Sequence, residues 1–391
     1  MGTVQIIQAL GERVDALWRE AERRPDAFSD IAESCLIESG LLLEGDHREV
    51  ARWLLSPHSN DIVQDGYGFG EPSIIVYRTK DFFIQLLYWL DGSPNIHEHG
   101  FEGVFGVLHG SSIHSRYDFH SDRAAPIANG VEFGKVQCTG VELLRRGDCR
   151  PIRSSGNAHA LFHLDYPSVS VVVRNFWTAE KKPQRYFIRP HLAIDPDYSS
   201  QADLTRLLTL QMLAQTRLAD FRAELPRALA KSGDWFKLNF FRWLLNFQDD
   251  LGLRILKYSG VQLSATEMRI LASAMVERRT NRILMARQAV RRPDHRCFLA
   301  FLSNVNNRDQ LMSLVGQQFP DADPVEQVTQ WITEIFHEPK AGIAMEPGQI
   351  AGIERYLRSQ KLEGAGNCTD PPMDEPSLAS CAAGIFEPLF R

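Results

Sequence analysis

Six cysteines, Cys35, Cys138, Cys149, Cys297, Cys368 and Cys381, never fall into a C-x-x-C spacing in this chain of 391 residues. A cysteine zinc site and a disulfide framework are therefore not expected, and the thiols read as free, as a reducing cytoplasm keeps them. No stretch approaches the ~18 uninterrupted apolar residues of a membrane span. Met1 to Leu10 has no basic region followed by a long apolar run, so neither membrane insertion nor secretion is expected. Positive charge is not in excess: the net charge is -6, which argues against nucleic acid as a partner. Arg278, Arg279, Arg282, Arg287, Arg291, Arg292 and Arg296 are spread around a helix beside Ile283 and Leu284 and read as a solvated or inter-lobe face. A Gly-rich phosphate loop, a dinucleotide fingerprint and a Ser-His-Asp context are all missing.

What is present is ample core material, 44% hydrophobic residues against 24% charged, in a chain too long for one core. Residues 3–55 carry helical periodicity, with Ile6, Leu10, Val14, Leu17 and Trp18 on one stripe and Val50, Trp53 and Leu54 on another. From Ser73 the pattern turns to short β-rich runs between glycine, proline and aspartate: Ile74–Tyr77, Phe82–Leu90, Gly103–Leu108, Ser112–Phe119, Val136–Leu144 and Ser168–Val173. Such spacing predicts a barrel or sandwich. After Pro190 the 3.6-residue period returns over Leu204–Leu229, Trp235–Lys257 and Ala265–Val290, the last opened by the capping-box spacing of Ser264 and Glu267. Further helices are expected at Phe298–Phe319, Pro324–Phe336 and Pro347–Gln360. The predicted organisation is an N-terminal helical lobe over 1–65, a β-barrel over 66–192, an all-helical C-terminal domain over 193–362 and a flexible tail over 363–391, an α+β chain.

The chemistry centres on Gly92-Ser93-Pro94-Asn95-Ile96-His97-Glu98-His99, answered by Gly156-Asn157-Ala158-His159. Histidines at i and i+2 of a strand share a face, so His97 and His99 can reach one metal ion, and a distant third histidine completes a facial set. Three neutral nitrogen donors with open positions opposite suit Fe(II), Zn(II), Mn(II) or Ni(II). His159 is preferred to His163 as the third donor because the glycine spacing selects it. Glu102, three residues after His99, is a candidate fourth ligand. His109, His114 and His120 read as turn caps or solvent-facing side chains, and Trp89 and Phe105 as barrel filling.

With Gly110 and Gly147 at intervening turns, these residues resemble the two short motifs of the cupin superfamily, over about residues 70–190. Phe82-Phe83-Ile84-Gln85-Leu86-Leu87-Tyr88-Trp89, then Ile96-His97-Glu98-His99-Gly100, Leu108-His109-Gly110 through Tyr117, and Tyr166-Pro167-Ser168-Val169-Ser170-Val171 are similar to the cysteine dioxygenase family of thiol dioxygenases. The resemblance implies a double-stranded β-helix, Fe(II) on His97, His99 and His159, and dioxygen as co-substrate. It also departs from the family: the Ser-His-Tyr set falls on Ser170, Val172 and Arg174, and Val104 stands where some members have a crosslinking cysteine. Cysteine as substrate is thereby put in question. Arg78 is the nearest counterpart of the family's carboxylate-binding arginine, and a guanidinium at 174 suits bidentate capture of an acid.

The expectation is a cytoplasmic, iron-dependent oxygenase acting on a small carboxylate- or thiol-bearing molecule, with the helical domain closing the barrel or forming a homodimer contact. Two other readings stay open: a cupin small-molecule sensor without redox chemistry, and a metal-dependent isomerase or decarboxylase.

Overall fold

The computed structural model describes residues 2–57, 62–64, 69–90, 95–122, 130–154, 158–176, 184–246, 256, 259–336, 352, 353, 355–357 and 386–390. The architecture is mixed, with helices and two antiparallel sheets. Two compact units result: residues 1–117, 139–184 and 304–330 in the first, and 118–138, 185–303 and 331–391 in the second. Among the described residues, no helix is long and apolar enough to cross a membrane.

The first unit opens with helices α1 (Thr3–Glu20), α2 (Pro25–Glu38), α3 (Leu41–Glu44) and α4 (His47–Leu54). The predicted stripe of α1 is buried at Ile6, Leu10, Val14 and Trp18, and α2 starts with Pro25 at a position where a missing N–H costs nothing. These helices cover one face of the five-stranded sheet β1-β2-β9-β4-β7, formed by β1 (Ser73–Arg78), β2 (Phe82–Trp89), β4 (Gly103–His109), β7 (Cys149–Ile152) and β9 (Ser168–Asn175). Alternation sorts the side chains. Phe82, Ile84, Leu86 and Tyr88 of β2, with Val169, Val171 and Val173 of β9, pack under the helices, where Trp18, Phe28 and Phe82 meet edge-on or tilted. Leu87, Phe105, Val107 and Val172 point the opposite way and join Phe101, Leu144 and Ile152 in a second cluster. Both faces are thus buried, which is why β2 reads as a nearly continuous apolar run rather than an alternating one.

The second sheet follows the order β10-β11-β6-β5-β8-β3, with β3 (Ile96–His99), β5 (Ser111–Ser121), β6 (Val131–Arg145), β8 (Ala158–His163), β10 (Gln184–Ile188) and β11 (Leu192–Ile194). Gly110 at φ +79° makes the turn from β4 to β5, where a Cβ would sit 2.9 Å from Asp165 Cβ; Gly147 at φ +100° turns β6 into β7. Both are the turns the sequence places there. Gly92 and Gly156 lie outside the described residues.

In the second unit, α5 (Gln201–Thr216), α6 (Leu218–Lys231), α7 (Asp234–Leu245) and α8 (Ala265–Ala289) share a core with Val131, Phe133, Ile188 and Leu192. The helix expected over Leu204–Leu229 is two, because Arg217 is non-helical at φ -145° and ψ 69°. The capping box of α8 is present, with Ser264 and Glu267 each covering a backbone N–H of the other. Phe298–Phe319 also divides, into α9 (Pro293–Asn304) and, in the first unit, α10 (Arg308–Gln318), while α11 runs Pro324–Phe336 as expected, most of it in the first unit. Arg287 departs from the solvated-face reading: it is buried and donates to the carbonyl of Arg296, which donates back to Arg287. Most of Pro347–Gln360 and of 363–391 lies outside the described residues, while Phe386 and Leu389 near the C-terminus are buried.

Candidate metal centre

β3 is four residues long and sits against β8 with His97 directly opposite His159. Strand parity turns His97 and His99 to the face on which β8 presents His159, Leu161 and His163, and Leu161 packs on the inner cluster around Phe105 and Val172. One ring nitrogen from each of His97, His99 and His159 lies within 4.8 Å of the others. His99 Nε2 and His159 Nε2 are 3.0 Å apart. At a metal–nitrogen distance of about 2.1 Å, two ligands at a right angle stand about 3.0 Å apart, and two at the tetrahedral angle about 3.4 Å. That pair therefore stands at the separation of two neighbouring ligands on one ion.

The protonation states suit a cation. Burial pushes His99 and His159 well below the ordinary histidine range, with the neighbouring His97 adding to the shift in both. Burial lowers His97 too, against a hydrogen bond to the Asn95 carbonyl that raises it. That carbonyl can only accept, so His97 Nδ1 carries the hydrogen at 2.9 Å and Nε2 keeps its lone pair for the centre. His99 Nδ1 is buried without a hydrogen-bond partner among the described residues. Neutral imidazoles surrender no protons to a metal and bring no charge to it.

His163 is not part of this cluster. It is buried, stacks on Trp89 with ring centroids 4.5 Å apart, and has Nδ1 2.9 Å from Ser112 Oγ. Burial pushes its pKa down to about 3. Glu102 also turns elsewhere: Oε1 accepts from the Ser154 N–H at 3.0 Å and hydroxyl at 2.5 Å, and Oε2 lies 3.0 Å from the Ser29 hydroxyl. Its carboxylate thus ties α2 to the segment after β7. The reason is its position on the turn into β4, beyond the strand whose parity aims His97 and His99.

His114 corrects the sequence reading most. Rather than capping a turn or facing solvent, it is 4% exposed, with Nε2 3.1 Å from His159 Nδ1 and Nδ1 2.9 Å from Glu142 Oε1. Arg150 grips the same carboxylate through Nε at 3.1 Å and an Nη at 2.5 Å. Glu142 and Arg150 were not singled out in the sequence, although strand parity offers a signal: Ser112 and His114 of β5 share a face and stand opposite His163 and Leu161 of β8. His109 is exposed, its ring 4.7 Å from that of His47. Phe105 fills the core as expected, 5.8 Å from the His159 ring.

Arg174, 2% exposed, shares its strand face with Val172 and lies 3.6 Å from the centroid of Phe101, whose ring is 4.5 Å from that of His99. Its charge contributes to the lowered pKa of His99. Arg78 stands 5.1 Å over Phe176, and Phe176 packs on Phe83, over which Arg174 also lies. The three histidines are therefore gathered at one point, Arg174 borders them through Phe101, and Arg78 belongs with the aromatic pair.

No family model matches the chain, and no curated protein does. Among solved structures, hydroquinone 1,2-dioxygenase from Sphingomonas sp. TTNP3, with 4-hydroxybenzoate bound, is 12% identical over 29% of this chain and 70% of its own, at a TM-score of 0.23. Hydroquinone 1,2-dioxygenase PnpCD in complex with Cd2+ and 4-hydroxybenzonitrile is 15% identical over 28% and 67%, at 0.22. DMSP lyase DddQ from Ruegeria pomeroyi DSS-3 is 15% identical over 32% of this chain and 57% of its own, at 0.20. Each likeness covers less than a third of this chain.

Proposed function

We propose that the chain is a mononuclear non-heme Fe(II) oxygenase with a cupin-type double-stranded β-helix over residues 66–192, resembling the cysteine dioxygenase family. It uses dioxygen to oxidise a small carboxylate- or thiol-bearing substrate. The observation that carries the reading is the convergence of three neutral imidazoles, His97, His99 and His159, with ring nitrogens within 4.8 Å of one another and His99 Nε2 3.0 Å from His159 Nε2.

His97, His99 and His159 would hold Fe(II), which would supply the chemistry that joins an anionic substrate and dioxygen. The residues do the rest. Neutral ligands leave the full positive charge of the ion to attract an anion. Arg174, a fixed cation beside His99, takes a substrate carboxylate through its planar fork, and Phe101 beneath it holds the guanidinium in plane. Arg78, joined to Arg174 through Phe176 and Phe83, supports the same pole of the site. Phe105 and Val172 keep water from the inner face. We further propose a cytoplasmic setting, and the helices after residue 193 as a homodimer contact.

The test is anaerobic purification, metal analysis and nitric oxide binding, followed by oxygen uptake with thiols, amino acids and aromatic acids. A substrate-sensitive iron–nitrosyl signal together with oxygen consumption is expected. A tightly held redox-inert ion with no oxygen uptake transfers the site to Lewis-acid isomerisation or decarboxylation. A protein that binds small acids with no metal becomes a sensor.

A further inference from the structure

We infer that Glu142, acting through His114, sets the tautomer of His159 and so decides whether the nitrogen that faces the metal keeps its lone pair; Glu142, His114 and Arg150 are positioning residues of the site. The inference rests on the metal reading above, but not on iron or dioxygen.

One chain of contacts fixes where each hydrogen sits. Arg150 donates to both oxygens of Glu142, at 3.1 and 2.5 Å, and hydrogen bonds from His114 and Arg150 hold the Glu142 carboxyl well below its usual range. An ionised carboxylate only accepts. His114 Nδ1, 2.9 Å from Glu142 Oε1, must therefore carry the hydrogen. Two N–H groups cannot meet across the 3.1 Å contact with His159, and on the metal reading His159 keeps Nε2 bare and its hydrogen on Nδ1, so His114 Nε2 is the acceptor. Its partner at 3.1 Å, His159 Nδ1, is the donor. His159 in turn keeps a bare Nε2, the nitrogen that faces His99 and His97. The polarity of the whole chain is fixed at its far end, two side chains from the metal.

The other ligands are held differently. His97 gains the same tautomer locally, from the Asn95 carbonyl, and His99 Nδ1 has no hydrogen-bond partner among the described residues. His159 comes from a separate strand and is the ligand whose aim depends on remote groups. Charge is balanced as well: Arg150 offsets Glu142, so this support adds no net charge to a site whose ligands are neutral. Outer partners of this kind typically govern metal affinity by about 10- to 100-fold.

Glu142→Gln is the decisive variant, because it keeps the shape and an acceptor oxygen yet adds an amide donor. With the amide turned, His114 Nδ1 becomes the acceptor, Nε2–H donates to His159 Nδ1, and the hydrogen of His159 moves to the nitrogen meant for the metal. Two readouts are taken. Imidazole 15N NMR of the metal-free protein is expected to show His159 with its hydrogen on Nδ1 in the wild type and a mixture in Glu142→Gln. Titration with Co(II) is expected to show affinity about 10- to 100-fold weaker in Glu142→Gln. His114→Leu, which keeps bulk without polarity, should weaken Co(II) similarly, and His114→Gln, which restores an acceptor and a donor, should recover most of it. An unchanged His159 tautomer and unchanged Co(II) affinity in Glu142→Gln would overturn the inference. A wild type that binds no Co(II) would instead sink the metal reading, and the NMR arm would still decide the tautomer.

Discussion

Replacing Glu102 by alanine separates a structural tie from a metal ligand. In the structure both carboxylate oxygens are engaged: Oε1 with the Ser154 N–H and hydroxyl, Oε2 with Ser29. The Ser29 hydroxyl has one hydrogen, which it shares between Glu102 and the Ile152 carbonyl 2.7 Å away, while accepting from the Gly103 N–H. Two full bonds and one shared bond to a charged acceptor, each worth about 1.5–3 kcal/mol when intact but here half-exposed, give a loss of about 2–4 kcal/mol. Removing the carboxylate also leaves the Ser154 N–H without its acceptor. The assay is urea unfolding followed by circular dichroism, with metal content measured on the same preparations under native conditions. Glu102→Ala should unfold earlier by that amount, Glu102→Gln should recover part of it, and metal stoichiometry should stay at the wild-type value in both. Loss of metal from a Glu102→Ala protein with native circular dichroism and unchanged stability would refute the reasoning and bring Glu102 into the coordination sphere.

Two further outcomes follow from the same geometry. Arg174→Leu should leave metal content intact and weaken an acidic ligand by about 1–3 kcal/mol, the usual worth of a charge-assisted hydrogen bond; equal affinity by calorimetry takes Arg174 out of the substrate site. For His163, the folded pKa of about 3 lies below the ordinary 6.5, so the unfolded chain binds the extra proton. Its contribution is fully present above pH 6.5 and is lost as pH falls toward 3, with a ceiling of about 4–5 kcal/mol. His163→Leu should flatten the acid limb of the stability–pH curve, and a curve parallel to that of the wild type excludes this residue as its source.

The sequence made the histidine pair legible because a strand has a period of two: His97 and His99 must share a face wherever β3 goes. His159 was reachable from its glycine spacing, although the convergence itself depends on β3 pairing with β8, a contact sixty positions apart that no local pattern encodes. β7, β10 and β11 escaped notice because runs of three to five residues are too short to show alternation. The two helices read as one across Arg217, and again across residues 305–307, share the opposite cause: their apolar period continues through residues whose backbone is not helical. His114 and Glu142 were hidden by their chemistry. Polar residues on a strand read as solvent-facing until something is known to lie inside the sandwich for them to bind. Arg174 was singled out for the residue type it replaces, and its seat over Phe101 depends on β9 being sandwiched between β2 and β4.

Whether His97, His99 and His159 together hold one metal ion is decided by metal stoichiometry of the purified wild type beside His97→Ala, His99→Ala and His159→Ala. About one equivalent of a divalent ion is expected in the wild type and a large loss in each variant, with native circular dichroism throughout. Full metal content in any of the three variants would contradict it.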